Sequence, residues 1–221
     1  MGRYFTADYV ERAILRDGSH VVLRLIRPDD KDTLRRGFEK LSPESRYSRF
    51  LVPKQRLTDD ELRYLCEVDQ ENHFALGAIR EEVDGHGEPV GLGIARFIRL
   101  PGVEPPTAEA AIAVADEIHG QGLGRLLLLR LAAAAAERGI ERFRSEVLGS
   151  NASMKALIDQ LAPEHSTDVG SGIMSLDFPI PPIKTDAAEP PADPLYRFFR
   201  AAAEGLLGAI TRGRATRSGA P

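Results

Sequence analysis

Three glycines at alternate positions, Gly120, Gly122 and Gly124, separate an alternating run, Ala108 to Ala115, from the helical pattern RLLLLRLAAAAAERG. Without side chains the chain can turn tightly there, and the loop opens a helix whose first amides lack intrahelical partners. Such an end receives phosphate. About half a positive charge from the helix dipole and several converging N–H groups suit a pyrophosphate, and Arg125 in the first turn can add a full charge. The preceding run carries one carboxylate, and period-two alternation groups Glu109 with Ala111 and Ala113 on one face, opposite Ala110, Ile112 and Val114.

Dinucleotide folds and Walker loops use similar letters, but the context fits both poorly. A Rossmann loop follows the first strand of a parallel sheet and needs an acidic residue about 20 positions on. Here several strand-like runs come first, and Glu141 to Glu146 fit that role poorly. A Walker loop needs Lys-Ser/Thr after its last glycine, where this chain has Arg125-Leu126.

The elements that position this loop are legible from periodicity. Alternation from Arg12 to Ile26 around Asp17-Gly18 predicts a hairpin. Asp29-Asp30 are expected to cap a helix carrying Leu34, Phe38 and Leu41; Ser42-Pro43 open a second through Tyr47 and Phe50. Thr58 and Glu61 form a capping box for a third helix, with Leu62, Leu65 and Cys66 inward. Strands follow at His73 to Arg80, Val90 to Leu100 and Ala108 to Ala115, the first two divided by the turn-rich Asp84 to Gly87. The glycine loop then leads into a helix stopped by Gly139, a strand from Phe143 to Leu148, a helix from Ser150 to Leu161, and a final strand pair within His165 to Ile180. The expected architecture is α/β in the α+β sense, a mostly antiparallel sheet flanked by helices.

Composition narrows the class. With 221 residues, 43% of them apolar, the chain can bury a sizeable core. A net charge of -4 gives no general attraction for nucleic acid or an anionic membrane, so an anion must be held locally. One cysteine, Cys66, excludes a disulfide framework and a cysteine-based zinc site and fits a reducing compartment; no metal is expected. No long apolar run suggests a transmembrane segment, and a cytoplasmic location is expected. After a first domain over 1–181, PIPPIKTDAAEPPADP reads as a proline-rich linker (182–194). Residues 195–221 read as an appended amphipathic helix with a basic tail; it can dock on the domain, form a homodimer or lie on a membrane surface.

The segment His119-Gly120-Gln121-Gly122-Leu123-Gly124 resembles the signature of the GNAT superfamily of N-acetyltransferases, Arg/Gln-x-x-Gly-x-Gly/Ala, with His119 in place of Arg/Gln. The resemblance covers about residues 20 to 180, including Asn151-Ala152-Ser153-Met154. LRLIRPDDKDTLRRGFEKLSPESRYSRFL and HFALGAI look most like the catalytic domain of bacterial Pat-type protein-lysine acetyltransferases. It implies the GNAT fold and acetyl-CoA as acyl donor, with transfer to a protein lysine or a small amine. It also implies Glu109 as general base, the Val114 amide as oxyanion donor, and pantetheine pairing along Ile112, Ala113 and Val114. The pyrophosphate would then lie on His119, Gly120, Gln121, Gly122, Leu123, Gly124 and Arg125, with Asn151 contacting the coenzyme. The tyrosine with which many relatives protonate the leaving thiolate is here Ile158. A thiol of pKa about 8.5 can depart unaided.

Plainer readings stand beside these. Glu109 could be a rim carboxylate in an ion pair, His119 a solvated loop residue, Asn151 only a helix cap, and Cys66 a core residue. The acidic stretch Asp59 to Glu88 either attracts a cationic acceptor or forms solvated faces. Loss of turnover would leave an acyl-CoA-sensing module.

Overall fold

The computed structural model describes residues 3–80 and 89–180. Asp84 to Gly87, the linker and the C-terminal segment lie outside them. Strands β1 (Val10–Ile14) and β2 (His20–Leu25) form the expected hairpin, with Ile14 opposite His20. Three helices follow: α1 (Lys31–Glu39), α2 (Pro43–Phe50) and α3 (Asp59–Cys66). Ser42 caps α2 by accepting from the Ser45 amide, and Thr58 with Glu61 closes the box on α3. Asp30 departs from expectation in part. It stands at the N-cap position of α1, but its carboxylate takes the Arg24 guanidinium at 2.5 and 2.7 Å and the Arg27 amide at 2.7 Å, so its side chain makes no cap bond to that helix. The charge-assisted pair with Arg24 engages both carboxylate oxygens.

Strands β3 (His73–Arg80), β4 (Val90–Arg99) and β5 (Thr107–Val114) continue the sheet antiparallel. Helix α4 (Leu123–Ala136) then crosses to β6 (Arg142–Leu148), which runs parallel to β5. Helix α5 (Ala152–Leu161) leads to β7 (Ser166–Gly170) and β8 (Ile173–Pro179), giving the order β1-β2-β3-β4-β5-β6-β8-β7. α4 is apolar nearly all round, as a helix buried on most sides must be. Against its face of the sheet lies a row of rings: Phe74, Phe97, Phe143 and Phe178, with neighbouring centroids 5.3 to 6.1 Å apart. That row ties β3, β4, β6 and β8 into one core. Helices α1 to α3 cover the opposite face with a smaller cluster around Phe38, Leu57 and Leu62.

On that opposite face Arg96 is buried, touching the His73 Nε2 at 3.1 Å and donating to the Leu65 carbonyl at 3.1 Å. Burial, reinforced by Arg96, lowers the His73 pKa to about 4, so the ring is neutral in the fold. The unfolded ring takes a proton near pH 6.5, so this contribution to stability is complete above that pH and is lost as pH falls toward 4. Urea denaturation should show wild type weakening more than His73→Gln between pH 7 and pH 4.5; parallel curves would exclude the linkage.

Candidate active site

The sheet opens between β5 and β6. Their pairing covers Thr107–Arg142, Ala108–Phe143 and Glu109–Arg144, and no ladder continues beyond Glu109. Which backbone groups face the opening follows from strand parity. Leu100 donates to the Thr107 carbonyl and Ala115 donates to the Leu92 carbonyl, so odd-numbered residues of β5 bond to β4. Even-numbered residues point the other way, and the Ala110 carbonyl accepts from Ser145 Oγ at 2.9 Å across the opening. The amides of Ile112 and Val114 therefore face a gap that β6 does not fill.

A cleft of about 710 Å³ occupies that gap. β5 forms one wall, Ser145 to Val147 and the α5 start another, and the glycine loop its end. Gly120 and Gly122 adopt φ of 78° and 92°, backbone that side chains disfavour, and Gly122 is the N-cap of α4. A Cβ on Gly120 would meet nothing within 4 Å, so its backbone is open to a ligand. The Leu126 amide is the first to close on the loop, donating to the Gly122 carbonyl at 3.0 Å. The amides of Leu123 to Arg125 are then the unpartnered first turn, where an anion is favoured.

The structure narrows the loop's predicted role. The His119 and Gln121 amides donate within the loop, to the Asp116 and Ile118 carbonyls, and the Gln121 carbonyl accepts from the Arg16 amide. Gln121 and Arg125 do not line the cleft, whereas His119, Gly120, Gly122, Leu123 and Gly124 do. The His119 ring is exposed, and its Nε2–H donates to the Val114 carbonyl at 3.1 Å, tying the end of β5 to the loop. Burial and the charge of Arg16 both lower the Arg125 pKa, which marks a concentration of positive charge beside the loop.

Arg16 was not identified from sequence. It sits in the β1–β2 turn, with its guanidinium donating to the Gly120 carbonyl at 3.4 Å, and nothing local to residue 16 signals a contact 104 positions away. Arg16→Gln should weaken coenzyme A binding by about 3- to 10-fold at low salt, with the difference shrinking toward 0.5 M salt, roughly. Calorimetry at two ionic strengths checks this; an equal loss at both would mean that the charge is not what matters.

Glu109 is exposed at the mouth of the opening, on the face that α2 covers. No salt bridge joins it to another described residue, although its charge acts on Arg49. Arg49 on α2 lines the same cleft; burial lowers its pKa, and the charge of Glu109 works against that. Asn151 caps α5, accepting from the Met154 amide at 3.0 Å, and also lines the cleft. Ser150, the other candidate cap, precedes it. Ile158 is 1% exposed, and among the described residues no tyrosine lines the cleft.

The remaining candidates resolve as structural. Cys66 is buried, its thiol pushed up to about 11 by that burial and by Asp30. Of the acidic stretch, Asp59, Asp60, Glu61, Glu67 and Glu71 pair with Arg35, Arg63, Lys54, Lys31 and Arg3, and none lines the cleft. Among the described residues no His/Cys/Asp/Glu group could hold a metal, and no helix is long and apolar enough to cross a membrane.

Comparison with known proteins bears on this geometry. The acetyltransferase (GNAT) family model matches residues 37–161. The chain is 31% identical over 176 residues to the acetyltransferase Pat of Mycolicibacterium smegmatis, covering 80% of this chain and 50% of that protein. It thus spans half the length of that relative. An acetyltransferase of Pseudomonas aeruginosa is 30% identical over 161 residues, covering 70% of this chain and 84% of the relative. The crystal structure of the GNAT domain of S. lividans PAT superposes with a TM-score of 0.68 at 30% identity, over 79% of this chain and 99% of that one.

Proposed function

The chain belongs to the GNAT acetyltransferase family, and from that premise we propose that it acetylates a primary amine, the side chain of a protein lysine, using Glu109 as general base. Acetyl-CoA supplies an acyl group activated as a thioester. The observation that carries the residue assignment is the unfilled edge of β5 beside the glycine loop, with Glu109 at its mouth.

Such a site fits the coenzyme. Ile112 and Val114 offer amides to an extended pantetheine arm, as a neighbouring strand would use them. The amides from Gly122 to Arg125, with Arg16 and Arg125 flanking, suit the diphosphate. The Val114 N–H is the donor for the carbonyl oxygen as it gains charge. It is preorganised because His119 holds the same residue's carbonyl.

A lysine ammonium of pKa about 10.4 is neutral in only about 4 of 10,000 molecules at pH 7, a handicap of roughly 4.6 kcal/mol. Glu109 takes that proton, directly or through one water. The amine nitrogen then bonds to the acyl carbon, the carbon–sulfur bond breaks, and the second proton that nitrogen sheds on becoming an amide passes to solvent, from which the departing thiolate collects one. Two sequential contacts rather than an acyl-enzyme suffice, since Cys66 is buried away from the cleft.

Acceptor choice is tested by offering native and denatured protein libraries alongside polyamines, amino acids and aminoglycosides, with mass spectrometry reading the products. Labelled lysines at defined sites in native proteins support the reading. Acetylation confined to small amines overturns the protein acceptor, and tight acetyl-CoA binding without transfer to anything would make the domain a sensor.

A further inference from the structure

Next to the cleft lies a separate void of about 90 Å³, between α1, α2 and the β3–β5 part of the sheet. Leu41, Arg49, Phe50, Ala113 and Val114 line both spaces, so one wall divides them. The chemistry above makes no use of the second.

Its lining is mostly hydrocarbon, including Leu34, Phe38 and Leu57. Two of the three guanidiniums at its margin are engaged with other groups, and the third lies against a ring of the lining. Arg24 holds Asp30 at 2.5 Å, Arg96 is bound to His73 and the Leu65 carbonyl, and the Arg49 guanidinium lies 5.2 Å from the Phe50 ring centre. One water-sized group needs about 10–15 Å³ on this measure, so the void has room for roughly six, far more than a methyl group. An apolar space of this kind gains nothing from water.

We propose that this void is an acyl-chain pocket, and that the protein binds and transfers straight aliphatic acyl groups up to butyryl as well as acetyl. The inference rests on the acyl-transfer reading of the cleft. Val114, whose amide is assigned to the thioester oxygen, and its neighbour Ala113 both line the void as well as the cleft, so the acyl carbon would sit against the shared wall at its thinnest side chain, a single methyl. The far end is bounded where α1 rides close on β4: a Cβ at Gly37 would stand 3.6 Å from the Gly91 carbonyl oxygen. Transfer follows the same balance as for acetyl. The amine–carbon bond forms, the carbon–sulfur bond breaks, the first ammonium proton goes to Glu109, and the second, shed as nitrogen becomes an amide, is passed through water to the thiolate.

Burying each methylene strengthens binding by about fourfold. Calorimetry without acceptor, on the full chain, would compare acetyl-, butyryl-, octanoyl- and succinyl-CoA. Butyryl-CoA should bind about 15-fold tighter than acetyl-CoA, with octanoyl-CoA no tighter than butyryl-CoA. Leu34→Phe, which fills the void from α1, should erase that preference while acetyl-CoA binds as before. Equal affinity of wild type for acetyl- and butyryl-CoA would overturn the pocket, and so would a preference kept by a folded Leu34→Phe protein. Succinyl-CoA binding tighter than butyryl-CoA would do the same, assigning the space to a carboxylate beside Arg49. If the variant does not fold, the wild-type series decides alone. Failure of every thioester to bind would defeat the coenzyme reading itself, a result distinct from loss of chain-length preference.

Discussion

Replacing Glu109 with glutamine is expected to lower kcat by about 10²-fold or more while the dissociation constant for acetyl-CoA stays within about twofold. Glutamine keeps the size and position of the side chain but cannot accept the ammonium proton. The split follows from the fold: Glu109 stands on the α2-covered face at the mouth of the opening, whereas the amides assigned to the coenzyme lie on the even-numbered edge of β5 and in the loop. The defect should shrink as pH rises. Below about 10.4, each unit of rise in pH frees about tenfold more neutral lysine, so near pH 10 the variant needs little help. Thiol release across pH 6.5 to 9.5, with calorimetry for the coenzyme, reads both quantities. Wild-type turnover in the variant at every pH would remove Glu109 from the mechanism.

The second large effect is on stability. Arg130 lies inside α4, its side chain only 1% exposed, and its Nε donates to Glu11 Oε2 at 2.6 Å while a second guanidinium nitrogen holds Oε1. The Tyr9 hydroxyl also donates to Glu11, and burial pushes the Tyr9 phenol upward, so it stays protonated. Glu11→Ala would leave a buried guanidinium without its counter-charge, at a cost of about 3–5 kcal/mol. For a domain of this size that corresponds to a fall of roughly 10 °C in Tm. Chemical denaturation of Glu11→Ala, and of the paired Glu11→Leu/Arg130→Met, separates the causes. The single variant should be the less stable, because the double variant removes the unmatched charge as well. A single variant within about 1 kcal/mol of wild type would show that the guanidinium finds another partner or water. Since Glu11 is on β1 and Arg130 on the helix the glycine loop starts, the pair also fixes where the Arg16 turn meets that loop.

Much of the site was legible because the signals are local. Ser42, Thr58 and Glu61 announced their helices through hydrogen bonds spanning three residues. Asn151 was recognisable as a cap by the same logic. Asp30 took the expected N-cap position, but the partner of its carboxylate, Arg24, comes from the neighbouring strand and was not legible. Gln121 and Arg125 belong to the motif by position but do not line the cleft; Gln121 spends its amide within the loop, and Arg125 stands beside it near Arg16.

By itself the sequence determined the order of strands and helices, the glycine turn into α4 and the face of β5 that carries Glu109. Those follow from steric limits on the backbone and from periodicities of two and 3.6 residues, which need no knowledge of distant neighbours. Only the tertiary structure decided that β5 and β6 part after Glu109, that Arg16 reaches the loop, that Arg130 is neutralised by Glu11, and that a void lies under α1 and α2. Each of these joins segments far apart in the chain. Their geometry is set by strand register and by how side chains fill the space between layers, quantities that no short stretch of residues contains.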